Sequence, residues 1–349
     1  MRRSSMVTVA RCAAIAALLT APAVLATPAG AADSAPEASA ARTTGTTRAA
    51  VPAGLAPKAD FNKDGYADVA VSAPSGTVGG KARAGYVTVV YGSAGGADTG
   101  KHQVLSQATA GVPGDPAADA AFGSRTVARD LDGDGFTDLA TQTSPVTAVT
   151  VLWGSADGLT GGASLPEAPG TNGRGNLVGG DFDGDGHADL IANSTTSEAW
   201  GDLRVLYGPF SRTGAAARSA ELPTDRTFAA SDLVAGDMTG DGKDDFVSFH
   251  DFEEMSEASI FWQGTADGPV RKQTVTDAVA GAIGDADKDG KSDLAAGAPG
   301  EDGTYKDSGA AWLLRGAVGG LSTTGVVSYG PAALGAPELN AALGNAIAK

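Results

Sequence analysis

Between residues 58 and 349 the apolar positions fall in short runs bounded by glycine and aspartate, without the spacing of an amphipathic helix. One set of runs ends in an aromatic and a glycine, or close to that pattern: GYVTVVYGS, AVTVLWGS, GDLRVLYGP, ASIFWQGT and GAAWLLRG. A second set precedes these: DVAVSAP, DLATQTS, DLIANST, DFVSFHD and DLAAGAP. Each pair is followed by a Gly/Asp turn such as SADGL (155–159) or TADGP (265–269), then by a less regular segment. Small-residue stretches close each unit: FGSRTVA, GNLVGG, SDLVAG and AVAGAIG. Short, β-branched or aromatic runs between turn residues predict strands, about four per repeat.

Ahead of each unit stands an acidic nonapeptide: DFNKDGYAD (60–68), DLDGDGFTD (130–138), DFDGDGHAD (181–189), DMTGDGKDD (237–245) and DADKDGKSD (285–293). The spacing of roughly 50 residues predicts a solenoid or a propeller. The terminal ALGNAIAK (342–349) resembles AFGSRTVA (121–128), yet no acidic loop follows it. The first loop has only AGLAPK before it. The piece missing at one end is present at the other, which predicts a ring whose C-terminal strand completes the first blade and hides an open sheet edge. The fold class expected is therefore an all-β propeller of five four-stranded blades, closed by 342–349, with a first repeat long enough to leave room for a sixth.

The nine-residue loops carry the candidate chemistry. Positions one, three, five and nine are Asp60, Asn62, Asp64 and Asp68; Asp130, Asp132, Asp134 and Asp138; Asp181, Asp183, Asp185 and Asp189; Asp237, Thr239, Asp241 and Asp245; Asp285, Asp287, Asp289 and Asp293. Position seven, whose backbone carbonyl can add a ligand, is Tyr66, Phe136, His187, Lys243 and Lys291. Glycine at position six, from Gly65 to Gly290, supplies a sharp turn. An all-oxygen, carboxylate-rich cage suits a hard cation, and calcium above magnesium because the ligands are mostly protein groups. About five calcium ions are expected, the 237 loop holding its ion most weakly because Thr239 replaces a carboxylate or amide. Asp244 could partly compensate there. These are not EF-hands: position twelve is Val71, Thr141, Ala192, Ser248 or Ala296 instead of glutamate, and a strand follows. Position two (Phe61, Leu131, Phe182, Met238, Ala286) reads as an apolar peg.

Composition places this unit outside the cell. Arg2, Arg3 and Arg11, the apolar stretch 13–25 and Ala29-Gly30-Ala31 read as a secretory signal over 1–31. The stretch is too short for a membrane span, so no integral anchor is expected. Cys12 is the sole cysteine and leaves with the signal, so no disulfide supports the mature chain. Residues 32–57, rich in Ala, Pro, Ser and Thr, read as a disordered leader; 58–349 is the folded domain. Formal charge is −16, and −19 once the three signal arginines are removed. No basic stripe is present, which excludes a nucleic-acid partner. Eighteen of the 41 acidic residues stand at loop positions one, three, five and nine, so the acidity is a local device.

With five loops in phase, Phe122-Gly123, Leu343-Gly344, the full Gly297-Ala298-Pro299 and the near match Ser72-Ala73-Pro74, the chain resembles the FG-GAP repeat (integrin α-subunit-like) β-propeller family, in a secreted bacterial form. The resemblance covers about 58–349. It implies calcium in the loops and a ring that recognises extracellular proteins or glycans. Integrin propellers have seven blades, so five is a departure that concerns the ligand surface and not the loop chemistry.

The function expected is a calcium-binding adhesion module, a monomer, secreted or cell-wall associated, whose calcium is mainly structural. The alternative is an extracellular hydrolase or lyase acting on polysaccharide or glycan-linked lipid. No thiol or G-x-S-x-G nucleophile is present, but paired carboxylates have no readable spacing. His102, His187 and His250 have no second histidine or cysteine nearby in sequence, and His250 adjoins an acidic, exposed-looking turn. Tyr91, Trp153, Tyr207 and Trp262 recur at strand ends, where packing competes with a row of sugar-stacking platforms. Trp200 and the loops 74–85 and 299–309 mark the candidate ligand surface.

Overall fold

The structure, a computed structural model, describes residues 59–143, 149–166, 176–193, 202–224, 230–250, 258–275, 277–339 and 341–343. The expected signal (1–31), leader (32–57), Trp200, the Asp251–Glu254 turn and residues 344–349 lie outside them.

Strand-forming runs pair as antiparallel meanders. The first sheet is β1 (Val69–Ala73), β2 (Tyr86–Tyr91) and β3 (Asp98–Leu105). The second is β4 (Thr126–Arg129), β5 (Asp138–Gln142), β6 (Val149–Trp153) and β7 (Thr160–Leu165). The third is β8 (Leu177–Gly180), β9 (Asp189–Asn193), β10 (Leu203–Tyr207) and β11 (Arg218–Leu222). The fourth is β12 (Asp232–Gly236), β13 (Asp245–His250), β14 (Ala258–Gln263) and β15 (Val270–Thr274). The fifth is β16 (Ala280–Gly284), β17 (Asp293–Ala298), β18 (Ala310–Leu314) and β21 (Val327–Tyr329), interrupted by a small hairpin of β19 (Gly316–Ala317) and β20 (Gly320–Leu321). A single 3-10 turn, Pro331–Leu334, is the only helical element among the described residues. None of these residues forms a helix long and apolar enough to cross a membrane.

Four strands per repeat holds for sheets two to five; the first has three, and 106–125 adds no strand. The first strands β4, β8, β12 and β16 lie side by side in that order. They line a cavity of about 620 Å³ together with Ala59, Ser72 and Pro74, so all five sheets border one space.

Four hydrophobic clusters sit between successive sheets, and position two of each of the first four acidic loops enters one. Phe61 packs with Val89, Leu139 and Leu152 between the first and second sheets. Leu131 joins Leu190, Leu206 and Phe210 between the second and third. Phe182 meets Phe246 and Trp262 between the third and fourth, Phe246 stacking on Trp262 at 5.4 Å. Met238 joins Leu294, Leu314 and Leu321 between the fourth and fifth. The pegs thus wedge sheets together, each fully burying its side chain. The fifth expected peg fails: Ala286 is exposed, and a methyl group is too short to reach a neighbour.

Strand register corrects two readings. Leu139 pairs with Leu152, whereas Phe246, at the same loop position as Leu139, pairs with Trp262. Trp262 is therefore equivalent to Leu152, one residue before the position that Tyr91, Trp153 and Tyr207 share. Arg315 follows Leu314, the partner of Leu294, and occupies that aromatic position in the fifth sheet. His250 is the last residue of β13 and buried, its Nε2 3.1 Å from Ser248 Oγ, and so is no part of an exposed turn.

Candidate metal centres

Each acidic loop is held by its own carboxylates. The position-one aspartate accepts the N–H of the position-six glycine at 2.8 to 3.1 Å in all five: Asp60 from Gly65, Asp130 from Gly135, Asp181 from Gly186, Asp237 from Gly242 and Asp285 from Gly290. The position-five aspartate accepts the position-seven N–H at 2.8 to 3.0 Å. At position three, Asn62, Asp132, Asp183 and Asp287 accept the position-five N–H through Oδ1. These are side-chain-to-backbone turns that short acidic residues make at small cost. They bend the chain so that the side chains face one another. The position-seven residues contribute backbone here, and Tyr66 turns its ring to solvent.

Position nine does different work. Asp68, Asp138, Asp189, Asp245 and Asp293 begin or directly precede the strand and are buried. One oxygen of each accepts the N–H of position two, at 2.7 to 2.9 Å. The other accepts the N–H of the glycine that ends the run after the next strand, Gly92, Gly154, Gly208, Gly264 or Gly316, again at 2.7 to 2.9 Å. The position-nine carboxylate is thus a bolt between the loop and the sheet. The glycine is required because a Cβ at Gly154 would lie 2.3 Å from the Thr137 carbonyl oxygen.

Three loops bring carboxylate oxygens within 4.8 Å of one another: Asp130, Asp132 and Asp138; Asp181, Asp183 and Asp189; Asp285, Asp287 and Asp289. In the fifth loop position five, not nine, joins positions one and three. Burial pushes the carboxyls of Asp138 and Asp189 up to about 7, and that of Asp245 to about 6, against the opposing pull of their backbone donors. Asp68 is raised for the same reason. The shift is a desolvation effect, since burial disfavours the charged carboxylate. In the fourth loop Thr239 is buried and its N–H donates to Asp245 Oδ2 at 2.9 Å. The donor set, all oxygen and mostly anionic, fits a hard divalent cation at the three clusters.

Three features of the loops were not read from the sequence. Position four takes a left-handed backbone in every loop: Lys63 (φ 56°), Gly133 (78°), Gly184 (76°), Gly240 (73°) and Lys288 (63°). Glycine at three of the five was the available signal. Position eight latches consecutive loops: the N–H of Thr137, Asp244 and Ser292 donates to the carbonyl of Asp60, Asp181 and Asp237, at 3.2, 2.8 and 2.7 Å. Asp244 Oδ2 also accepts the Asp181 N–H at 3.0 Å, so this side chain faces the preceding loop and does not compensate for Thr239 in its own. Arginines also reach the loops. Arg212, from the turn between β10 and β11, pairs with Asp132 (2.7 Å) and Asp134 (2.6 Å); Arg218 pairs with Asp183 (2.7 Å) and Arg315 with Asp287 (3.4 Å).

The FG-GAP repeat model matches residues 57–90 and 278–314, and the FG-GAP-like repeat model matches 130–192. The chain carries FG-GAP repeats. These matches span the first, second, third and fifth acidic loops. The 237 loop, which falls outside them, repeats the same hydrogen bonds. No curated protein matches the chain. With these FG-GAP repeats the all-β architecture is β-propeller-like.

The aromatics shared by the repeats serve packing. Tyr91, Trp153, Tyr207 and Trp262 are all buried, and Arg212 and Arg218 lie over Trp153 and Tyr207. They offer no open face to a sugar. The connections 74–85 and 299–309 lie at the strand ends opposite the acidic loops, and Tyr305 is exposed on the latter.

Proposed function

We propose that the chain is a secreted, calcium-stabilised five-bladed propeller that works as an extracellular binding or adhesion module for glycans or proteins. The observation that carries it is the in-phase recurrence of one loop geometry, with anionic oxygens gathered within 4.8 Å in three copies. The proposed ligands are positions one, three, five and nine with the carbonyl of position seven. Calcium among them would compensate charge that burial otherwise makes unfavourable. At about 1 mM calcium and dissociation constants of about 0.1–1 mM, each ion contributes roughly 0.4–1.4 kcal/mol. Five ions contribute about 2–7 kcal/mol, against a total of about 5–15 kcal/mol for a domain. A domain without disulfides gains substantially from that.

The ring, in this reading, is closed by the C-terminal segment 342–349, which would complete the first sheet. Exposure of Val69 and Val71, at 48% and 54%, supports it. Their counterparts Leu139, Thr141, Leu190 and Ala192 are buried beneath a first strand that β1 lacks. Recognition then falls to the end of the sheets opposite the calcium loops, where 74–85 and 299–309 lie. The signal-like residues 1–31 support export.

The test is a glycan array probed with residues 32–349 in millimolar calcium and in chelator, with thermal melts alongside. A melt at least several degrees higher in calcium is expected; identical melts would remove structural calcium from the reading. Calcium-dependent array signals identify a lectin-like module. A folded protein with an empty array directs the search to protein ligands, through cross-linking to cell-surface extracts.

A further inference from the structure

The five loops differ in charge at position three, and that difference is matched by arginine. Asp132, Asp183 and Asp287 each have a guanidinium beside them, from Arg212, Arg218 and Arg315. The other two loops hold Asn62 and Thr239 at position three. Among the described residues, no arginine pairs with a ligand-position carboxylate of either loop. At position three an aspartate with its guanidinium carries the same net charge as Asn62 or Thr239, so the second and third loops match the first; the fourth and fifth match each other, one charge lower, because Lys243 pairs with Asp241 and Lys291 with Asp289.

The three arginines are not copies of one repeat position. Arg212 belongs to the connection after β10 and reaches back to the loop of the preceding sheet. Arg218 opens β11 of its own sheet and lies over Tyr207. Arg315 stands where the other sheets have Tyr91, Trp153 or Tyr207. Three different backbone sites deliver the same charge to the same loop position. Repetition of a module cannot produce that, whereas a shared requirement on loop charge can.

We infer that Arg212, Arg218 and Arg315 are charge-balancing partners of the all-aspartate loops, which set their cation affinity level with that of the loops bearing Asn62 or Thr239. The inference rests on the calcium reading above. A guanidinium beside Asp132 leaves Oδ1 directed into the loop, where it already accepts the Asp134 N–H, while Oδ2 is taken by Arg212. The arginine therefore opposes the cation through space without removing its ligand. Its loss leaves a fourth uncompensated carboxylate, which attracts a divalent cation more strongly and destabilises the ion-free loop.

The experiment is calorimetric calcium titration of the mature chain as wild type, Arg212→Gln, and the double variant Asp132→Asn/Arg212→Gln, with melts in chelator. Arg212 is half exposed, and its replacement by glutamine gives up the contact over the Trp153 ring, which lowers the melt in chelator and in calcium alike and leaves the affinity as the deciding readout. Arg315→Gln, at a more exposed site, provides a second single variant. In each single variant one site is expected to bind calcium roughly tenfold more tightly, with a lower melting temperature in chelator. The double variant, which copies the make-up of the first loop, is expected to return to wild-type affinity. Unchanged or weaker binding in both single variants would overturn the inference, since an arginine that merely positions Asp132 loses affinity on removal. A wild type that takes up no calcium fails differently: it sinks the calcium reading itself.

Discussion

Leu343 lies against Gly309 as Phe122 lies against Gly85. The Leu343 N–H donates to the Ser308 carbonyl at 3.1 Å, and the Phe122 N–H to the Ala84 carbonyl at 2.8 Å. The preceding residue is left-handed in both places, Ala342 at φ 44° and Ala121 at φ 45°. A Cβ on either glycine would fall 2.3 Å from the docked backbone. The chain end thus repeats, against the fifth sheet, the step that leads from the first sheet into the second. If the proposed ring closure holds, removal of residues 342–349 is expected to cost about 2–3 kcal/mol or more, from the apolar burial that closure would give Val69 and Val71 and the backbone pairing it would add. Urea denaturation measures this, and a loss below about 0.5 kcal/mol would refute closure by this segment.

The bolt and the ligand positions separate by mutation. Asp138→Asn leaves one of two buried N–H donors, Leu131 or Gly154, without its carboxylate oxygen. A cost of about 2–4 kcal/mol is expected, in chelator as well as in calcium. Asp185→Asn keeps an oxygen for the His187 N–H at an exposed position. In chelator it is expected to change stability by less than about 1 kcal/mol, while reducing the gain from calcium. Equal losses from the two in chelator would contradict this division.

Proton linkage offers a check that needs no mutation. Asp138 and Asp189 titrate near 7 in the folded ion-free chain against an ordinary 3.8, and Asp245 near 6. The folded state holds these protons more tightly than the unfolded one. Stability from these groups is therefore full at pH below 4 and declines as pH rises to about 7. Melts in chelator are expected to fall between pH 5 and pH 8. Calcium requires the deprotonated carboxylates, so its presence is expected to flatten or reverse the slope; parallel slopes with and without calcium would count against carboxylate ligation.

Asp244 is assigned to the joint between loops. Asp244→Ala removes the acceptor for the Asp181 N–H and the partner charge of the half-buried Arg129. A destabilisation of about 1–3 kcal/mol is expected, with the number of bound calcium ions unchanged. A lost ion in calorimetric titration, with stability in chelator intact, would return Asp244 to the ligand set of its own loop.

Much of this molecule is legible in one dimension because its defining interactions are local. The hydrogen bonds within Asp60–Tyr66 span five residues or fewer, so an Asp/Gly pattern suffices to announce the loop. Strand existence followed from short β-branched and aromatic runs bounded by turn residues, and the repeat period from the spacing of those loops. Tertiary structure decided what depends on chains meeting at long separation. It turned Asp138 into a bolt to Gly154 and aimed Asp244 at the neighbouring loop. It placed Trp262 one step out of register from Trp153, and brought Arg212 to Asp132 across 80 residues. No spacing rule encodes those contacts, since a side chain's partner across a sheet is set by register and packing and not by its neighbours along the chain.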